Sequence, residues 1–366
     1  MNKKCAIITI TSGTNYGNRL QNYAVQKVLQ DIGLEVETLI NEENNDNYIY
    51  KLKRIIKLTF FRKKYKKIFQ RIDNFDKFNK QYIDFSKFKI SNKNIPKDIE
   101  NNYDYFIAGS DQIWNLNDKK NNIVNFMGFV KNKTKIAFAP SFGASNIPKD
   151  ISINISKWIN EIDFLSVRED AGKEIIKKLT GRTDAKVLID PTMLLTDCDW
   201  EVISKKPIIN IPKKYILNYF LGNLSNEREK EIKRVAKENN CEIINILDLN
   251  DKYYSCGPSE FLYLVKNAFL VCTDSFHSSV FSIIYKKPFI VFDRDSAEKS
   301  NNMNSRIDTL LNKFNLNDRR YNENQITLKN LKIDYKLTME ILNEERKKSI
   351  EYLKQAINRR KKWNIF

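Results

Sequence analysis

The chain opens on an apolar run rich in β-branched residues, Cys5-Ala6-Ile7-Ile8-Thr9-Ile10, the pattern of a strand covered on both faces. Small and polar residues follow from Thr11 to Asn18. From Arg19, Leu20, Tyr23, Ala24, Val28, Leu29 and Ile32 recur at helical spacing up to Gly33, which stands in the C-cap place. Glu35 to Ile40 reads as a strand again, so the first forty residues predict one βαβ unit. Further strands are expected at Tyr103 to Ala108, Lys135 to Ala139, Phe164 to Val167 and Lys186 to Ile189, each ending in small or polar residues. A second series begins at Tyr215 to Phe220, continues with a charged helix from Glu227 to Asn239, and adds strands near Ile243, Leu270 and Ile290. Such alternation in both halves predicts an α/β protein with two parallel-sheet domains. The segment from about Asp197 to Lys214, with Pro207 and Pro212, is the expected linker. The site is then expected in the cleft between them, because ligands of open parallel sheets sit at the carboxyl ends of strands.

Two segments break the alternation. Tyr50 to Phe78 is basic and amphipathic, with Leu52, Ile55, Phe60, Phe69 and Ile72 interleaved with lysines and arginines, and the chain ends in a long helix from about Asp334 that finishes Arg359-Arg360-Lys361-Lys362-Trp363. Two readings stand side by side for both: solvated helices packed on their own domain, or basic aromatic helices lying peripherally on an anionic membrane face. The expected boundaries are 1–200 for the first domain, with a basic helical insertion at about 48–85, 213–335 for the second, and 336–366 for the C-terminal basic helix.

Composition narrows the class. A length of 366 residues exceeds what one core usually serves, since compact domains run to ~100–200 residues. No stretch approaches the ~18–20 apolar residues that span a bilayer, and the run after Lys4 is too brief for a signal-peptide core, so a cytoplasmic location is expected. Five cysteines are scattered without a CxxC pair, which suggests reduced thiols and neither a disulfide framework nor a zinc site. The net charge of +18 favours anionic partners without choosing among phosphorylated metabolites, acidic glycans, lipid headgroups and nucleic acid. The richness in Lys, Asn and Ile is equally what an AT-rich genome produces. No helix-turn-helix, zinc-finger or ribonucleoprotein signature supports nucleic acid as the partner.

Candidate chemistry sits at strand ends. The one histidine, His277, lies in Thr273-Asp274-Ser275-Phe276-His277-Ser278, after an apolar strand and before a helical run, where backbone N–H groups favour an anion and an imidazole can bind phosphate or transfer a proton. A structural role at that turn is the competing reading. Arg168, closing Phe164 to Val167, suits a carboxylate or phosphate, or else pairs with Glu169 or Asp170. Asp111 in Gly109-Ser110-Asp111 is a candidate base, or else a helix N-cap. The Gly13 to Asn18 turn matches neither GxGxxG nor GxxxxGK[ST], which speaks against NAD and P-loop nucleotides, and one histidine without a carboxylate cluster speaks against a metal.

Taken in order, Gly13 to Ala24, Gly109-Ser110-Asp111-Gln112-Ile113-Trp114-Asn115, Ser166-Val167-Arg168-Glu169, Asp190-Pro191-Thr192, Phe261 to Ala268, Thr273 to Phe281, Lys287-Pro288-Phe289 and Ser305-Arg306-Ile307 resemble the polysaccharide pyruvyl transferase family. The resemblance implies a glycosyltransferase-B-like pair of Rossmann-type domains that uses phosphoenolpyruvate as donor and needs no cofactor or bound metal. Carried onto this chain, it implies Arg168, Ser275 and a downstream basic residue as donor-binding groups and His277 as the catalytic acid. Arg294, Lys299 and Arg306 all lie downstream, and Arg306 fits the Ser-Arg-Ile string best. Asp111 would deprotonate an acceptor hydroxyl, and Asn15, Tyr16 and Asn18 would line the cleft on the acceptor side. The implied acceptor is a sugar, free or lipid-linked. The oligomeric state is left open.

Overall fold

The computed structural model describes residues 3–42, 62–116, 123–143, 147, 153–294, 305–321, 326–327 and 331–358. Two parallel sheets organise the chain. In the first, β1 (Lys4–Ile8) pairs with β2 (Glu35–Asn41) on one side and β4 (Tyr105–Ala108) on the other, while β3 (Phe85–Ile90) and β5 (Thr134–Ala137) form the edges. A bridge from Ile136 to Phe164 continues this sheet toward the two-stranded pair β6 (Ser166–Val167) and β7 (Lys186–Val187). The second sheet runs β11 (Phe289–Val291), β10 (Leu270–Thr273), β8 (Tyr215–Tyr219), β9 (Glu242–Asn245). Every residue of β4, β8 and β10 is buried, which is why these strands read as unbroken apolar runs.

Among the described residues the helices are α1 (Tyr16–Asp31), α2 (Arg62–Tyr82), α3 (Ile153–Asn160), α4 (Asp170–Thr180), α5 (Asp197–Glu201), α6 (Asn226–Glu238), α7 (Pro258–Asn267), α8 (Phe276–Ile284), α9 (Ser305–Lys313) and α10 (Lys336–Asn358). In each sheet the strand order reverses at the middle: chain direction turns away between β1 and β4 in the first and between β8 and β10 in the second. Such reversals open a crevice at the carboxyl edge, because the connecting helices leave on opposite faces.

Two helices tie the halves together. Helix α10 returns to the first sheet, with Tyr352 Oη donating to the Ala137 carbonyl (2.9 Å) and Arg346 reaching the carbonyls of Met193 and Leu195. Helix α2 spans the halves: Lys67 Nζ donates to the carbonyls of Leu249, Asn250 and Asp251, and buried Arg71 donates to Tyr16 Oη (2.6 Å) and to the carbonyls of Thr14 and Tyr254.

The structure departs from the sequence reading in particular elements. The basic amphipathic segment is a helix from Arg62 to Tyr82 whose Phe69, Phe75 and Phe78 are buried within the protein, and its polar side packs on residues of the second half instead of only on its own domain. Residues 50–61 of that segment, and the basic end 359–366, lie outside the described residues. Strand β3 is absent from the expectations because it is an edge strand whose Lys87 and Lys89 face outward, breaking the apolar run. Helix α1 begins three residues earlier than its apolar periodicity, because Asn15 accepts from the Asn18 N–H as its N-cap. The expected linker begins with α5, closed by a Thr196/Asp199 capping box and carrying buried Trp200. No helix among the described residues is long and apolar enough to cross a membrane. Cys5, Cys256 and Cys272 are buried, Cys241 is half-buried and Cys198 exposed, all as free thiols.

Candidate active site

The turn after β1 is built by Arg19, fully buried on α1, whose guanidinium donates to the carbonyls of Ile10, Thr11 and Ser12 at 2.7 to 3.0 Å. Gln21 then ties this strand end to the next: its Nε2 donates to Thr9 Oγ1 and its Oε1 accepts from the Ser110 N–H, both at 2.7 Å. That clamp sets the Gly109-Ser110-Asp111 turn at the end of β4. A side chain at Gly109 would strike the Phe138 carbonyl at 2.1 Å, so the turn admits glycine alone there. Asp111 makes no capping hydrogen bond to the helical turn that follows. Its carboxylate faces Arg168, with Oδ1 3.4 Å from Nη2.

Arg168 leaves the end of β6 fully buried. Its Nη1 pairs closely with Asp190 Oδ2, which comes from the end of β7, so Arg168 lies between two carboxylates while its guanidinium stacks 4.4 Å from the centre of the Phe276 ring. Asp190 Oδ1 is held by Thr192 through its N–H (3.0 Å) and its hydroxyl (2.6 Å). Burial pushes the Asp190 carboxyl up, but the charges of His277 and Arg168 and the hydrogen bond from Thr192 outweigh it and hold the group well below the usual carboxylate range.

From the second domain, Ser275 caps α8 by accepting from the Ser278 N–H, and its own N–H donates to Thr273 Oγ1 (3.0 Å). With Ser275 as the cap, His277 sits in the first turn of α8 free of that duty. Its Nε2 lies 3.4 Å from Asp190 Oδ2, an ion-pair distance. On its other side the ring packs on the bare backbone of Gly17, where an added Cβ would come within 2.0 Å of Nδ1.

Arg306, on α9, completes the cluster. Its guanidinium lies 5.9 Å from the Phe276 ring centre, and the Gln112 amide, turned with its oxygen inward, accepts from both Nη atoms at 2.7 Å. No carboxylate pairs with it among the described residues. Burial foremost, and then the charge of Arg168, push it down to about 10. Beside it Glu169 is fully buried, with Oε1 accepting from Ser141 Oγ and the Phe142 N–H, both at 2.9 Å; burial pushes its carboxyl up against the pull of Arg168 and Arg306. Arg168 Nε, Arg306 Nε, Glu169 Oε2, His277 Nε2 and Ser278 Oγ are buried without a hydrogen-bond partner. Buried polar atoms are normally satisfied, so the orphaned Nε donors of two neighbouring guanidiniums suit a polar, anionic guest.

The structure therefore brings Asp111, Arg168, Ser275, His277 and Arg306 together. Tyr16 lies elsewhere in kind: its ring stacks on Phe261 at 4.5 Å and its hydroxyl donates to the Cys256 carbonyl, so it welds the two halves inside the core. Asn15 serves as the α1 cap, and Asn18 is buried in the first turn of that helix. Arg294 turns away to Asp274, with Nε 3.1 Å from Oδ2, and Lys299 lies outside the described residues. Asp190, Phe276, Glu169, Gln112 and Gly17 were not among the expected site residues. Asp190 carried a signal all the same, since it closes a strand in the Asp-Pro-Thr string. Among the described residues no group of three or more His, Cys, Asp or Glu side chains is placed to hold a metal ion.

The profile of the polysaccharide pyruvyl transferase family matches residues 15–296. This chain belongs to that family. Membership makes it a transferase of polysaccharide biosynthesis, and the matched stretch contains Asp111, Arg168, Asp190 and His277 while stopping short of Arg306. A search of curated proteins finds no match. Among solved structures, a putative UDP-N-acetylglucosamine 2-epimerase from Listeria monocytogenes superimposes with a TM-score of 0.50 at 11% identity, covering 97% of this chain and 91% of that one. The UDP-GlcNAc 2-epimerase of Methanocaldococcus jannaschii gives a TM-score of 0.48 at 14% identity, covering 93% and 99%. At 11% identity the Listeria structure speaks for the fold alone, a glycosyltransferase-B-like pair of Rossmann-type domains.

Proposed function

We propose that this family member transfers a pyruvyl unit from phosphoenolpyruvate to a sugar of a cell-surface polysaccharide or its lipid-linked precursor, closing a pyruvate ketal. The observation that carries the reading is the pair of buried guanidiniums, Arg168 and Arg306, both against the Phe276 ring, with His277 close by across Asp190. Phosphoenolpyruvate presents a carboxylate and a phosphate on one small frame, and two fixed cations are the economical complement to that shape.

In the reaction, His277 delivers a proton to the methylene carbon, and the central carbon becomes electrophilic. An acceptor hydroxyl attacks it and passes its proton to Asp111. Inorganic phosphate then departs with the C–O electron pair, and a second hydroxyl of the same sugar attacks and passes its proton to His277, which closes the ketal and restores the acid. Donor plus diol thus give ketal plus phosphate, and no redox step is needed.

Calorimetric titration of phosphoenolpyruvate into the full chain, at moderate salt to suppress general anion binding, tests the donor assignment. Saturable binding to the wild type that Arg306→Gln weakens is expected. Absence of binding to the wild type, together with tight binding of UDP-N-acetylglucosamine, would overturn it in favour of a glycosyltransferase.

A further inference from the structure

We propose that Asp190 is the positioning residue of this site, a carboxylate anchored by Thr192 that fixes the orientation and tautomer of His277 across the domain boundary while it holds Arg168. The inference rests on the reading of His277 as proton donor.

Both oxygens of Asp190 are committed. Oδ1 accepts two hydrogen bonds from Thr192, one from the N–H and one from the hydroxyl, which leaves the carboxylate no rotational freedom. Oδ2 is thereby aimed at Arg168 Nη1 and at His277 Nε2, 3.4 Å away. Nε2 has no closer hydrogen-bond partner among the described residues, and the Asp190 carboxylate is the acceptor that faces it. Asp190 is 1% exposed and ionised, hence an acceptor only, and an imidazole nitrogen facing it must carry the hydrogen. Nδ1 is then the nitrogen that gains and loses a proton, and it lies on the side of the Gly13 to Asn18 turn, against Gly17. Arg168 has a second carboxylate in Asp111, whereas among the described residues His277 pairs with Asp190 alone. The division of labour follows: Asp111 can share the neutralisation of Arg168, but Asp190 has no substitute at the ring.

The sequence has one histidine, so nitrogen-15 NMR of the imidazole in the full-length protein reports His277 with no overlap. In the neutral ring of the wild type, Nε2 is expected to carry the proton. In Asp190→Asn the two Thr192 donors keep the amide oxygen, so the NH2 group turns toward His277, Nε2 must accept, and the two nitrogen resonances exchange their protonated and unprotonated positions. A neutral wild-type ring protonated on Nδ1 overturns the proposal, and so does an Asp190→Asn protein with the wild-type tautomer. Should Asp190→Asn fail to fold, Thr192→Val, which removes only the hydroxyl donor, is expected to give a mixture of tautomers; a wild-type ratio there overturns it as well. The spectrum needs no donor. If phosphoenolpyruvate fails to bind while the tautomer still switches, the functional reading falls and the Asp190–His277 pairing stands.

Discussion

The two halves of the site are built on opposite electrostatic plans. The first domain contributes Arg168 already paired, between Asp190 and Asp111 at the ends of β7 and β4. The second contributes Arg306, equally buried, which among the described residues makes no ion pair: the Gln112 amide and the Phe276 ring lie against it, and the Glu169 carboxyl acts on it without pairing. A buried cation paired with carboxylates is part of the scaffold, because removing it strands the partners. A buried cation that no carboxylate pairs directly is costly to the fold and available to a ligand. The first half is thus a preorganised frame, and the second supplies the net attraction for an anion.

Removing each arginine in turn should separate these roles. Arg168→Met deprives the buried carboxylates of Asp111 and Asp190 of their shared cation and is expected to cost about 3–5 kcal/mol in denaturant unfolding. Loss of stability below about 1 kcal/mol would show that the two carboxylates do not depend on Arg168 and would erase the contrast. Arg306→Met should leave the unfolding midpoint unchanged or raised, while phosphoenolpyruvate affinity falls on the order of 100-fold, as a charged hydrogen-bond donor of about 2–3 kcal/mol is lost. The reverse pattern in calorimetry and melting would exchange the two assignments.

Gly17 tests the seam between the halves. A Cβ there meets His277 at 2.0 Å, so Gly17→Ala must push the ring away from Asp190 and should cost about 1–3 kcal/mol by overpacking, with altered imidazole resonances. Unmoved resonances would mean that α1 shifts instead of the ring. The smallest effect is expected at Glu169. Its carboxyl is raised in the folded state, foremost by burial, so its contribution to stability is fully present below the unfolded pKa and is lost as pH rises through the folded one. Glu169→Gln keeps an acceptor oxygen for Ser141 and Phe142 and abolishes that slope. Urea midpoints at pH 5 and pH 8 should show the variant gaining on the wild type toward pH 8, within about 1 kcal/mol. A variant that loses ground as pH rises would mean that the ionised Glu169 stabilises the two arginines beside it.

Much of the frame was legible because local rules govern it. The strands buried on both faces are continuous apolar runs, and in a parallel α/β protein the residue that ends such a strand stands at the cleft, which located Asp111, Arg168 and His277. Tyr16 shows where that rule stops. It follows a strand end like the others, yet its ring is taken up by Phe261 and its hydroxyl by Cys256 and Arg71, partners far along the chain. The reach of α2 onto the second half was invisible for the same reason, since Lys67 and Arg71 bind backbone carbonyls, which leave no mark in a sequence.

By itself the sequence determined the parallel α/β class, the alternation of elements and the strand-end turns, because periodicity and turn chemistry are short-range. Only the tertiary structure decided that Asp190 joins Arg168 to His277, that Arg306 and not Arg294 faces Phe276, and that Gly17 must stay bare. Those facts depend on how two sheets and their connecting helices meet, and pairing at a few ångströms between residues from different elements is set by packing, which no local pattern encodes.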